Sequence, residues 1–260
     1  MADYSAVNSL NDFMVGGAYS AEISSGWSWT TLRNINQLIA KCNSPKLTDA
    51  IKNNYIGLAR FFRAWFYYEK VVRFGDVPWV DHPLAVDETD ILKAPRDSRE
   101  VVMKHIMEDL DFAYTNITNT GGDGSTVNKW TALGLKTRIA LFEGTFRKYH
   151  KLNLATQPEV FFQMAVDAGK ILMENGPYGL NISADPKTSQ RQLFTSNTPV
   201  TKEVMLAVTF SKDLALLNDA NWWWTSATYG PRLSLVRPFI NSFLNVDGTP
   251  YTDRPNFQTE

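Results

Sequence analysis

The sequence has one cysteine, no excess of either charge and no long apolar run. Cys42 is its single thiol, which excludes an intrachain disulfide framework and a multi-cysteine metal site. Lys and Arg number 26 against 27 Asp and Glu, so the basic excess typical of a nucleic-acid-binding face is missing. No stretch approaches the roughly 20 consecutive apolar residues that span a bilayer. The opening MADYSAVNSL shows no signal-peptide pattern.

Patterns that carry catalysis are also lacking. The three histidines, at positions 82, 105 and 150, lie far apart and show no paired metal-ligand spacing. The glycine-rich segment 121–125 lacks the Gly-Lys-Ser/Thr ending of a phosphate-binding loop, and no G-x-S-x-G occurs. We therefore expect no cofactor, no metal and no enzymatic activity. A glycosidase needs only two carboxylates at a suitable separation, so hydrolysis stays open as an alternative. The acidic segment 81–97 is interpreted as a solvated loop.

Helical periodicity dominates the first 175 residues. Apolar residues at steps of three and four predict helices over about 28–41 and 46–73, and three more that begin near Ser98, Asn128 and Pro158. Asp97 or Ser98 can cap the first of these three and Asn128 the second, and Gly75 is suited to end the helix over about 46–73. Five helices with mostly short linkers predict a mainly α fold of stacked, tetratricopeptide-like helical hairpins.

The amino-acid composition changes after Gly176, where Gly, Pro, Asn and Asp become frequent. One strand is predicted at 204–210 and one short helix at Pro238. We expect 27–175 to form a helical-hairpin scaffold and 176–260 an irregular, ligand-facing segment of one domain.

Aromatic residues make up 13% of the chain and cluster twice. Six of the eight residues from Phe61 to Tyr68 are aromatic, and because they surround a helix we interpret them as core, with the Arg60 and Arg63 guanidinium groups at its edges. The second cluster is Trp222, Trp223 and Trp224. Three adjacent indole rings cannot all point the same way, so at least one is expected to be exposed, although packing beneath a loop remains an alternative. The candidate ligand-stacking residues are Trp222, Trp223, Trp224 and Tyr229, followed by Trp27 and Trp29, for which packing at the start of a helix is the alternative.

Several motifs together resemble the SusD-like (RagB/SusD) family. The central one runs from Ala59-Arg60-Phe61-Phe62-Arg63-Ala64 to Phe74-Gly75-Asp76-Val77-Pro78. Further matches follow the family order: Leu32-Arg33-Asn34-Ile35-Asn36, Lys129 to Tyr149, Glu203-Val204-Met205, and Phe243 to Pro250. The resemblance extends from about residue 32 to residue 250.

The resemblance implies a surface-exposed lipoprotein of the outer membrane. Such a protein captures nutrients, commonly glycans, and passes them to a SusC-like TonB-dependent transporter without catalysing a reaction. Family members are longer and carry a lipidated cysteine, whereas Cys42 ends a helix. We therefore expect an internal fragment whose membrane contact would require an anchor outside this sequence. The alternative function is a helical-repeat module that binds a protein or peptide.

Overall fold

The computed structural model describes residues 5–6, 26–182, 185–220, 226 and 234–254. These residues fall into two compact units. The larger unit spans Gly26–Thr209, and the smaller one combines residues 5–6 with the described residues from Phe210 onward.

The larger unit is built from helices that pack in chain order. Its long helices confirm the mainly α prediction, and α1 packs on α2, α2 on α4, α4 on α5, and α5 on α6. The short helices α3 and α7 were not predicted. The seven helices described in this unit are α1 (Thr30–Lys41), α2 (Asp49–Phe74), α3 (Thr89–Lys93), α4 (Arg99–Asn116), α5 (Lys129–Tyr149), α6 (Pro158–Asn175) and α7 (Pro186–Thr195).

Local side-chain chemistry begins and ends these helices as the sequence predicts. The Ser98 hydroxyl accepts a bond from the Val101 amide at the start of α4. Asn128 caps α5 by accepting bonds from two backbone amides, at 2.9 and 3.1 Å, in a reciprocal capping box with Thr131. Gly75 follows α2 with φ +72°, a conformation that a side chain would strain, and its amide bonds to the Val71 carbonyl.

Two carboxylates lie buried inside the stack and neutralise arginines, three from a neighbouring helix and one from the same helix. Asp109 of α4 accepts bonds from Arg60 at 2.5 Å and from Arg63 at 2.7 and 2.8 Å. Glu143 of α5 accepts bonds from Arg99 and Arg147 at 2.6 to 3.0 Å. The prediction for Arg63 was wrong, since the residue is buried at 6% exposure rather than held at the core edge. Asp109 allows this burial because it supplies the opposing charge.

The strand predicted at 204–210 does not form. Residues 204–210, all of them described, contain no strand, so that prediction was wrong. Their backbone makes a turn bond from the Val204 amide to the Val200 carbonyl, and the Ala207 amide donates to the Gly124 carbonyl. An apolar run forms a strand only where a partner strand pairs with it.

The smaller unit contains only short elements among its described residues. Strand β1 (Ser5–Ala6) pairs antiparallel with β2 (Ser234–Leu235). Helix α8 (Arg237–Ile240) includes Pro238 in its first turn, which confirms the predicted short helix, and a 3-10 turn covers Tyr251–Asp253.

Candidate functional site

The sequence-predicted site residues divide into two groups. Trp222, Trp223, Trp224 and Tyr229 lie outside the described residues. Trp27 and Trp29 are described and stand immediately before α1.

Trp27 and Trp29 pack on the carboxyl-terminal part of α2. Their ring centroids are 5.1 Å apart and the ring planes meet at 81°, so the two indoles do not form one flat platform. Trp29 contacts Phe66 edge-on at 5.5 Å, whereas Trp27 contacts Phe74 at 4.8 Å. Trp27 keeps 39% of its surface exposed, and the Arg96 guanidinium lies 5.0 Å from its ring centre. Trp29 is thus mainly a packing residue, and Trp27 is the more accessible ring.

Lys70 anchors this tryptophan segment to α2. Its ammonium donates a hydrogen bond to the Gly26 carbonyl and lies 4.8 Å from the Phe66 ring centre and 5.5 Å from that of Trp29. Burial lowers the pKa of Lys70, while the neighbouring Glu69 charge raises it. The ammonium is therefore held by aromatic faces and by the Gly26 carbonyl.

An apolar groove of about 970 Å³ runs between α1 and α2. We call it the α1–α2 groove. Aromatic rings form much of its wall, and Tyr55, Phe62 and Trp65 keep 50, 47 and 37% of their surface exposed. Charged side chains also line it, namely Glu69, Lys70 and Arg73, and Glu69 accepts a 2.9 Å bond from the Trp65 indole. The other principal lining residues are Thr31, Asn34, Ile35, Leu38, Leu58 and Phe66. Such a wall can accept the flat apolar face of a sugar ring or apolar peptide side chains.

The α1–α2 groove was not predicted, because the pattern of aromatic residues from 61 to 68 was interpreted as core. Phe61 and Tyr67 are indeed buried, at 1 and 0% exposure. Phe62 and Trp65 belong instead to a second stripe with Tyr55 and Leu58, spaced by three and four residues along α2. Separating the run into two stripes would have indicated that α2 has two apolar faces.

The described ranges hold no group of three or more His, Cys, Asp or Glu side chains arranged to bind a metal ion. Within the same ranges, no helix has the length and apolar character needed to cross a membrane.

Residues 17–153, just over half of the chain, match the SusD-like family described as starch-binding and associating with the outer membrane. The chain belongs to the SusD-like family. A curated relative, SusD-like protein P2 of Formosa agariphila, is 26% identical over 141 residues, which cover 54% of this chain and 28% of the relative.

Solved structures share the fold. A SusD-like protein from Bacteroides fragilis superposes with a TM-score of 0.61 at 23% identity, over 86% of this chain and 42% of the other. A SusD-like carbohydrate binding protein from the same organism superposes with a TM-score of 0.61 at 16% identity, over 88% of this chain and 42% of the other. The chain thus spans less than half the length of each of these relatives. At these identities the likeness establishes the fold alone.

Proposed function

We propose that the protein binds glycans at the cell surface for nutrient uptake. Membership of the SusD-like family over residues 17–153 carries the proposal, because that family is described as starch-binding. The carbohydrate binding SusD-like protein of Bacteroides fragilis, which shares the fold, supports it. Affinity would come from sugar rings stacked on aromatic side chains, with polar neighbours bonding the hydroxyls.

The proposed ligand residues remain the tryptophan cluster Trp222, Trp223 and Trp224 together with Tyr229. Trp27 is a secondary candidate because part of its ring is accessible, whereas Trp29 would mainly support it. Asn218 and Asp219 precede the cluster and offer hydrogen-bonding groups. The ligand is then passed to a SusC-like TonB-dependent transporter in the outer membrane, and the protein binds without catalysing a reaction.

Isothermal titration against a panel of oligosaccharides tests the glycan proposal. We expect at least one glycan to bind, and expect the triple change of residues 222 to 224 to alanine to weaken that binding by tenfold or more, since each stacked aromatic contributes on the order of 1 kcal/mol. The Phe62→Ala variant, which alters the α1–α2 groove, is the matched control and should bind normally. Absence of binding to the whole panel contradicts the function, and unchanged binding in the triple variant contradicts the site.

A second candidate function is binding of a protein or peptide segment. The observation that favours it is the α1–α2 groove, where Tyr55, Phe62 and Trp65 leave partly exposed rings that apolar side chains of a partner could contact. In this case Phe62→Ala would weaken partner capture, and the changes at 222 to 224 would not. Pull-down of a transporter barrel without affinity for any sugar would favour this candidate. Release of reducing ends when the protein is incubated with polysaccharides would instead indicate that it hydrolyses them.

A further inference from the structure

His82 lies between two carboxylates in the loop that joins α2 to α3. Its Nδ1 is 3.0 Å from Asp81 Oδ1, and its Nε2 is 2.9 Å from Glu88 Oε1. The imidazole side chain is 45% exposed, so water and protons reach it freely. Both of its ring nitrogens therefore face hydrogen-bond acceptors.

A neutral imidazole cannot satisfy both contacts. It carries one N–H, so its other nitrogen would present a lone pair to a carboxylate oxygen. The imidazolium carries two N–H groups and can donate to Asp81 and Glu88 at once. The geometry is therefore complete only when the ring is charged.

One side of this arrangement bonds to the helical stack, whereas the described hydrogen bonds of the other stay within the loop and the start of α3. The Asp81 carbonyl accepts a bond from Arg63 of α2 at 3.2 Å, and the His82 carbonyl accepts one from Asn36 of α1 at 3.3 Å. Glu88, in contrast, is the residue before α3, and its second oxygen accepts the Ala85 amide at 2.5 Å. The contact between His82 and Glu88 thus joins an anchored segment to a loop whose residues 85–87 are exposed.

We propose that Asp81, His82 and Glu88 form a proton-dependent clamp, which fastens loop 83–88 and the start of α3 while the imidazole is charged and releases them when it is neutral. The charged groups that face the ring are the carboxylates of Asp81 and Glu88. From α2, Arg63 acts on Asp81 rather than on the ring, and α1 contributes the uncharged amide of Asn36.

Electrostatics set the pH window of the clamp. Hydrogen bonds to Asp81 and then to Glu88 raise the pKa of His82 above its ordinary 6.5. The His82 bond lowers the pKa of Asp81 from 3.8, and the Ala85 amide followed by His82 lowers that of Glu88 from 4.5. The clamp is therefore complete between about pH 4.5 and 6.5 and opens as pH rises through the raised pKa of His82.

Nuclear magnetic resonance of the ¹⁵N-labelled protein at pH 5.5 and pH 8.0 tests the clamp. Long-range ¹H–¹⁵N spectra report the protonation of the His82 ring, and solvent exchange of the Ala85 amide reports the loop. We expect Ala85 exchange, corrected for its intrinsic rate, to rise about 2- to 5-fold at the higher pH, as an exposed ion pair allows. An unchanged corrected rate would overturn the proposal.

Three variants sharpen the test. His82→Gln should remove the pH dependence of Ala85 exchange. Glu88→Gln should keep the loop protected at pH 8.0, because its amide can donate to a neutral ring. His105→Gln is the matched control, since His105 has a single carboxylate contact, Glu108 at 3.0 Å, and it should retain the normal response. Persistent pH dependence in His82→Gln, or its loss in His105→Gln, would contradict the clamp.

Discussion

Helix α2 presents two apolar faces that the fold uses differently. One face packs on α4 and buries Phe61, Ala64, Tyr67 and Val71 at 0 to 1% exposure. The other faces the α1–α2 groove, where Tyr55, Phe62 and Trp65 remain partly exposed. The packed face also carries the buried Arg63. Similar residue types on one helix therefore contribute to stability on one side and remain available for contact on the other.

The difference arises from what each face meets. On the packed side, α4 brings Asp109 to Arg63 and Ile106 and Leu110 to the apolar core. On the groove side, α1 covers only part of the helix surface. Substitutions should consequently have large effects on unfolding on the packed side and small effects on the groove side.

The largest effect is expected from Asp109→Ala. This change leaves Arg63 buried without its opposing charge, and Arg60 loses the same partner. We expect the free energy of unfolding to fall by about 3 to 5 kcal/mol in urea titrations followed by circular dichroism. Asp111→Ala, on the same helix, breaks a pair whose carboxylate is 58% exposed and should cost less than about 1 kcal/mol. Equal losses in the two variants would show that burial does not set the cost.

Adjacent phenylalanines give the next comparison. Phe61→Ala removes a ring that is 1% exposed and should lower the free energy of unfolding by about 3 to 4 kcal/mol. Phe62→Ala removes a ring that is 47% exposed and should cost about 1 kcal/mol or less. Both are measured by the same urea titration. A large loss in Phe62→Ala would indicate that the groove is closed in solution.

Local features of α2 and its neighbours could be predicted from the sequence because short-range chemistry determines them. The caps at Ser98 and Asn128 and the end at Gly75 depend on residues a few positions apart, and each forms as expected. The family motifs likewise identify the fold, and the central one contains Phe61, Arg63 and Ala64, which are buried.

Features set by distant partners could not be predicted in the same way. The burial of Arg63 depends on Asp109, 46 residues later, which no local pattern reveals. Residues 204–210 have a strand-like composition, yet their conformation depends on whether another strand lies beside them. The division of the aromatic run into two faces depends on where α4 packs. Of the predicted ligand residues, Trp27 and Trp29 lie within the described part of the chain, and their contacts with α2 likewise depend on residues distant in sequence.

Two tyrosines on α2, Tyr67 and Tyr55, compare how much a buried and an exposed hydroxyl contribute to the free energy of unfolding. The Tyr67 hydroxyl accepts the Val80 amide at 2.7 Å and lies 3.3 Å from the Pro78 carbonyl. Tyr67→Phe leaves that amide without its partner and should cost about 1 to 2 kcal/mol of unfolding free energy. Tyr55→Phe, at a residue that is 50% exposed, should change stability by less than about 0.5 kcal/mol. Thermal unfolding of both variants decides whether the two faces differ in this respect as well.

The smallest effect should appear at alkaline pH. Desolvation raises the pKa of the Tyr67 phenol well above its usual 10, although the bond to Val80 lowers it. The folded state therefore keeps this proton while the unfolded chain loses it, so stability present below pH 10 declines as pH rises beyond that value. At pH 10.5 the loss attributable to this one group is about 0.8 kcal/mol. It is measured as the difference between the pH slopes of the original protein and Tyr67→Phe, because every other titrating group is common to both. Identical slopes would mean that the phenol ionises as readily in the folded protein as in the unfolded chain, and that the packed face of α2 admits water.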